Sequence, residues 1–261
     1  WRSSYLIMAL LMGVGITACL LAPVPSAAVG SSEGKAVLRW RQLYVAPLKD
    51  LFERKGALLL PILVLVALYR LPDFISGVMA NPLYIDLGFS KSDIATVTKV
   101  YGVWIGIAGI FTGGIAVLRL GLMPSLMLGG IAAPASHLML ALLASSGAKL
   151  QLLTLAVSVE NFASGFAGTA LISYMSSLTS PAFAATQYAL LSSLYALPGK
   201  LAGGVSGLLV DNFGYPVFFV MASTVGIPGV LLCVFVWRRS ATEVEAQPDL
   251  PLEGRGAVSS G

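Results

Sequence analysis

Ionisable side chains stand inside runs of this sequence that otherwise hold mostly apolar and small residues: Arg70, Asp73, Lys99, Glu160 and Lys200. A charge in hydrocarbon is costly, so such a group pairs, lines a watery cavity, or handles ions and solutes. Arg70 and Asp73 are three apart, which puts them on one helix face and lets them pair. Glu160 is then left to pair with Lys200. Asn161, Gln187 and Tyr188 bring polar groups that serve a sugar or peptide, or equally well bond one helix to another. His137, the one histidine, lies in an otherwise apolar run and reads as a structural hydrogen bonder. The plainer alternative for all the charges is that they only hold helices together.

The elements that carry these residues are long and apolar. The chain is 57% hydrophobic and 11% charged, with mean hydropathy +0.86. A soluble domain carries about a quarter charged residues, so the composition points to a membrane protein. Seven segments are long enough to span: approximately Tyr5–Val24, Ala57–Leu83, Ile94–Leu118, Leu122–Ser145, Leu150–Tyr174, Thr186–Val210 and Val217–Trp237. The first, ahead of Ser26-Ala27-Ala28, is too long for a signal peptide. Arg70, Glu160 and Lys200 fall roughly 15–20 Å into a bilayer about 30 Å thick, near its midplane, and Lys99 is shallower. The charges occupy the second, third, fifth and sixth segments. The first, fourth and seventh carry none in their apolar spans and are free to face lipid. Cys19 and Cys233 read as packed thiols, with no metal site or disulfide framework.

Connections refine this division into 1–24 (a last helix of a preceding bundle), 25–56 (a basic linker), 57–239 (a six-helix bundle) and 240–261 (a disordered tail). The linker holds Lys35, Arg39, Arg41, Lys49, Arg54 and Lys55, and the same side receives Arg119, Arg238 and Arg239. The other side receives Arg2, Lys91 and Lys149, so the linker and the C-terminus are expected in the cytoplasm. Within the linker, Trp40–Lys55 suits an interfacial helix with Leu48, Leu51 and Phe52 against lipid. Pro61, Pro72, Pro134, Pro198 and Pro228 are expected to break their helices, and Gly102/Gly106, Gly109/Gly113 and Gly203/Gly207 to allow close packing. Because the chain begins with Trp1, it reads as a fragment.

Three groups of residues resemble a known family. They are Tyr69-Arg70…Asp73; Glu160-Asn161…Gly165…Gly168-Thr169-Ala170; and the run from Ala185 to Leu194, AlaThrGlnTyrAlaLeuLeuSerSerLeu. With the basic linker, the six following segments and Gly113-Gly114…Arg119…Gly121, they resemble the C-terminal half of a major facilitator superfamily transporter. Within it the resemblance is to the AmpG-like muropeptide permeases, over about Trp1–Arg239. The loop motif lacks its acidic residue and basic pair, and Lys200 stands where relatives could carry Arg.

The resemblance implies an all-α membrane protein, a six-helix C-terminal bundle plus one preceding transmembrane helix, in a bacterial inner membrane. It implies import of anhydro-muropeptides by proton symport, serving peptidoglycan recycling and β-lactamase induction. It implies no cofactor beyond a proton gradient. The implied partners are the bilayer, a small anionic solute such as a muropeptide, and a missing N-terminal six-helix bundle, with no nucleic acid. The site residues it implies are Arg70, Asp73, Lys99, Glu160, Asn161, Gln187, Tyr188 and Lys200. Two rivals remain at this point: a carrier of another solute such as acetyl-CoA or a drug, and a seven-helix receptor or sensor. An enzyme is disfavoured, because the chain has neither an HExxH nor a GxSxG pattern.

Overall fold

A computed structural model describes residues 2–21 and 45–245. The chain divides into two compact units. The first contains helix α1, Arg2–Leu21, whose 20 residues make about 30 Å of helix. Residues 22–44, most of the expected basic linker, and residues 246–261 lie outside the described residues.

The second unit begins with α2, Ala46–Lys55, which has Pro47 in its first turn and Gly56 (φ 49°) after its last. A 3₁₀ turn, Gly56–Leu58, leads into α3, Leu59–Tyr69, and α4, Leu71–Asp86. These two helices are one apolar span interrupted at Arg70 (φ −100°, ψ 5°). Pro72 explains the break: it has no N–H to donate, and its ring crowds the carbonyl one turn back. The next span starts at α5, Lys91–Ile94, where the Ser90 hydroxyl accepts from the Asp93 N–H at 3.1 Å. It passes through a π-helical turn, Ala95–Tyr101, into α6, Gly102–Leu120. Then come α7, Leu122–Ser146, and α8, Leu150–Leu178. Helix α9, Ala184–Gly203, is followed by α10, Ser206–Thr224, which reverses at Gly214 (φ 75°), and by α11, Ile227–Glu245.

Five stretches among the described residues are long and apolar enough to cross a membrane: Ala46–Asp86, Lys91–Leu120, Leu122–Ser146, Leu150–Leu178 and Ser206–Arg239. Several boundaries and breaks differ from the sequence expectation, among them the segment Val217–Trp237, which is divided between α10 and α11. The segment Thr186–Val210 is divided between α9 and the start of α10. Pro134 and Pro198 lie inside continuous helices, so neither breaks its span. Residues 240–245, expected in a disordered tail, continue α11.

Helix α8 lies against α6 and α7, α10 against α7, and α3 and α4 against α9. Glycines permit the tightest approach. A Cβ added at Gly113 of α6 would lie 2.9 Å from the Phe166 carbonyl oxygen of α8, and one at Gly109 would overlap the Phe162 carbonyl. Gly165 of α8 meets the Gly106 backbone in return. Gly207 has no such neighbour, so the Gly203/Gly207 pair does not form a close-packing face.

The core separates into two apolar clusters. One contains Leu65, Tyr69, Leu126, Ala167, Leu171 and Cys233, and the other contains Leu83, Leu140, Leu153, Val157, Phe218 and Phe219. On α4, α7 and α8 the residues between the clusters include polar ones: Asp73 and Ser76, Ser136 and His137, Glu160 and Ser164. The bundle therefore holds a polar layer midway along its helices, with hydrocarbon above and below.

Candidate functional site

The polar layer is built around the broken helix. With Pro72 interrupting the helix, Arg70 sits at the joint and Asp73 in the first turn of α4. Arg70 Nε lies 2.9 Å from Asp73 Oδ2, so the expected pair forms. The N–H does not point squarely at the oxygen, and the contact is ionic more than a directed hydrogen bond. The same guanidinium donates through Nη1 to the Ser164 carbonyl at 3.2 Å and through Nη2 to Ser164 Oγ at 3.0 Å. It fits because residue 168 is glycine: a Cβ there would stand 2.8 Å from Nη1.

The other carboxylate oxygen, Asp73 Oδ1, lies 3.3 Å from His137 Nε2 on α7. Ser76 Oγ is 3.2 Å from Nδ1 and 3.3 Å from Nε2 of that ring, so the tautomer decides which nitrogen it meets. The His137 side chain is 2% exposed, Asp73 11% and Arg70 22%. Glu160 of α8 is half-buried and lies within electrostatic reach of His137, Asp73 and Tyr84. The break, α4, α7 and α8 thus converge on one charge cluster, Arg70–Asp73–His137, with Glu160 beside it.

The remaining expected residues fall elsewhere. Lys99, in the π-helical turn, and Lys200, on α9, are exposed, and neither forms an ion pair among the described residues. The expected Glu160–Lys200 pair is therefore not made: the two lie on separate helices with no contact within 4.0 Å. Asn161 donates to the Val157 carbonyl one turn back, at 2.9 Å, beside Gly102. Tyr188 is partly buried and packs against the first apolar cluster.

Gln187 is buried and fully engaged. Its oxygen accepts from the Ser180 N–H (2.7 Å) and Arg54 Nη2 (3.2 Å), and its nitrogen donates to the Pro47 carbonyl (2.9 Å) and Asp50 Oδ2 (2.8 Å). Arg54 also donates to the Leu178 carbonyl at 3.0 Å, at the end of α8. These bonds dock α2 on the ends of α8 and α9. Helix α2 is the charged start of the stretch Ala46–Asp86, ahead of its apolar residues from Ala57, and the Gln187 hydrogen bond is the chief cause holding the Asp50 carboxyl below its ordinary value. Leu51 is consequently buried against the bundle, not against lipid, while Leu48 and Phe52 are exposed as expected.

Sequence reasoning missed three partners. His137 bonds between helices as expected, but its partner Asp73 and its burial in the bundle are not foreseen for a segment free to face lipid. Ser76 stands one turn from Asp73 and Ser164 one turn from Glu160. That spacing was the available signal.

No family model matches the chain. Individual proteins do. The chain is 34% identical over 233 residues to the anhydromuropeptide permease of Escherichia coli strain K12, covering 89% of this chain and 46% of that protein. It is 29% identical over 236 residues to "Putative transporter AmpG 4" of Rickettsia felis, covering 90% of this chain and 56% of that one. It is 37% identical over 171 residues to "Putative transporter AmpG 1" of Rickettsia prowazekii, covering 66% and 39%. The chain spans about half the length of the curated relatives it matches. Helices throughout the described residues, five stretches able to span, and this similarity along most of its length lead to one conclusion: the chain is an all-α membrane protein of AmpG-like type, similar to permeases of that name over about half of their length.

Proposed function

We propose that this chain is the C-terminal six-helix half, with one preceding helix, of a proton-coupled importer of anhydro-muropeptides. The carrier works in a bacterial inner membrane, with its central loop and C-terminus in the cytoplasm, and serves peptidoglycan recycling and β-lactamase induction. Its other half is an N-terminal six-helix bundle that closes the cavity. The observation that carries this reading is the charge cluster buried between two apolar layers. A bundle needing only stability gains more from well-packed apolar residues than from a buried ion pair. A transporter needs charge at mid-depth to meet its solute and its proton.

The residues divide by accessibility. Exposed Lys99 and Lys200 attract the carboxylates of the substrate's peptide, and Arg70, held by Asp73 and Ser164, receives one deeper in. Glu160, half-buried and unpaired, takes the driving proton. Protonating it changes where charge stands in the layer between the bundles and favours their rocking. Asn161 and Tyr188 line the approach, and Gln187 has no free hydrogen-bonding capacity left for substrate.

The test is uptake by the whole carrier bearing Glu160→Gln. Exchange of labelled anhydro-muropeptide is retained, while accumulation driven by a pH gradient is lost. Unchanged gradient-driven accumulation rejects the assignment. Inhibition of uptake by excess muropeptide, and not by acetyl-CoA, separates this substrate from the rival solute.

A further inference from the structure

A count of formal charge in the polar layer leaves it unbalanced. Arg70 contributes one positive charge, and ionised Asp73 and Glu160 contribute two negative ones. A net charge inside a low-dielectric bundle is disfavoured, so one more proton is required. Either Glu160 or His137 can hold it. His137 is 2% exposed on its side chain and 3.3 Å from Asp73. Ser76 Oγ lies within 3.3 Å of both ring nitrogens, so one hydroxyl serves either tautomer and also the doubly protonated ring.

We infer that His137 is a proton-holding and positioning residue of the transport site, alternating with Glu160 as carrier of the one proton that keeps the cluster neutral. With the proton on Glu160, the neutral ring hydrogen-bonds Asp73. With Glu160 ionised, the imidazolium pairs with Asp73 and the sum of charges is unchanged. Only a proton moves: an O–H bond of Glu160 breaks with its electrons staying on oxygen, and an N–H bond forms from the imidazole lone pair. Asp73 remains held toward Arg70 in both states, so the anion-receiving guanidinium keeps its place.

Other titratable groups on the packed helices are few, and the π-helical turn against α8 brings Lys99, which is exposed, and Tyr101, whose hydroxyl lies 3.0 Å from Ser158 Oγ. Helix α4 also carries Tyr84, near Glu160, and Asp86, which accepts from Tyr215 of α10 at 2.6 Å. The other acid of α10, Asp211, interacts with Tyr215. In its apolar span α11 offers Cys233, beside Tyr69 and Tyr174 in the first cluster. Helix α6 carries only Arg119, in its last turn.

This inference deepens the proposed transport reading and rests on it, so the test has two readouts. In the whole carrier, His137→Gln keeps a donor for Asp73 but cannot take a proton. The ratio of gradient-driven accumulation to substrate exchange falls about tenfold, and its pH profile flattens. An unchanged ratio, or equal loss of exchange and accumulation, overturns the proposal. The second readout needs no substitution at His137 and no transport. In ¹⁵N-histidine-labelled carrier, the resonance of His137 shows an imidazolium that disappears in Glu160→Gln. A ring neutral from pH 5 to 8 overturns the proposal even if transport is proton-driven. Wild-type carrier without gradient-driven uptake sinks the transport reading alone.

Discussion

Removing the carboxylate of Asp73 should be far more damaging than removing the whole ion pair. Asp73 lies 2.9 Å from Arg70 and 3.3 Å from His137, with side-chain exposures of 11%, 22% and 2%. Deleting one member of a buried pair costs about 3–5 kcal/mol, because the other is left buried and uncompensated. Two acceptors on Ser164, at 3.0 and 3.2 Å, still serve the Arg70 guanidinium, and part of it remains open. That places Asp73→Leu, and likewise Arg70→Met alone, at the low end, about 3 kcal/mol, or roughly 150-fold in the folded-to-unfolded ratio. Arg70→Met with Asp73→Leu replaces the pair by apolar groups and should recover most of that loss, leaving a coupling energy of about 2–3 kcal/mol. Equilibrium unfolding of the carrier in detergent measures all corners of the cycle. Single losses that simply add in the double variant would refute the reasoning. Transport should be lost in every variant, so the stability cycle and the function separate.

Other outcomes follow from the packing and the docked helix. Gly113→Leu should cost about 1–3 kcal/mol, since its Cβ would meet the Phe166 carbonyl at 2.9 Å, whereas Gly114→Ala, with open space around it, should not clash. Unfolding midpoints of the two variants check this. Gln187→Leu removes four hydrogen bonds, three of which dock α2. Proteolysis between residues 45 and 56 should accelerate at least several-fold, and no acceleration would contradict the docking role. The pH dependence of that docking has a definite sign. The folded value for Asp50 is lowered, so its contribution is present above the ordinary value of 3.8 and is lost as the pH falls below it through the folded value. Protease sensitivity of α2 should therefore rise at acid pH in wild type and be insensitive to pH in Asp50→Asn.

Residues close in sequence were the ones whose geometry could be anticipated. The three-residue spacing of Arg70 and Asp73 fixed their contact, and Pro72 fixed the break beside them. The glycines of α6 announced its approach to α8 through their spacing. Contacts between distant helices had no such signal. Glu160 and Lys200 have opposite charges and similar depth, but depth says nothing about rotation around a helix axis. His137 looked isolated for the same reason, since nothing within α7 reveals that Asp73 lies opposite. The amphipathic pattern of α2 identified an apolar face without saying whether lipid or protein covers it, and Leu51 turned out to meet protein. Pro134 and Pro198 show that a proline need not break a helix whose neighbours support it.

Uptake of labelled anhydro-muropeptide into vesicles containing the whole carrier, with an imposed inward proton gradient and without one, tests the central claim most directly. Accumulation that requires the gradient in wild type, and that fails in Glu160→Gln while exchange continues, is the predicted result. Accumulation indifferent to both the gradient and Glu160 would contradict it.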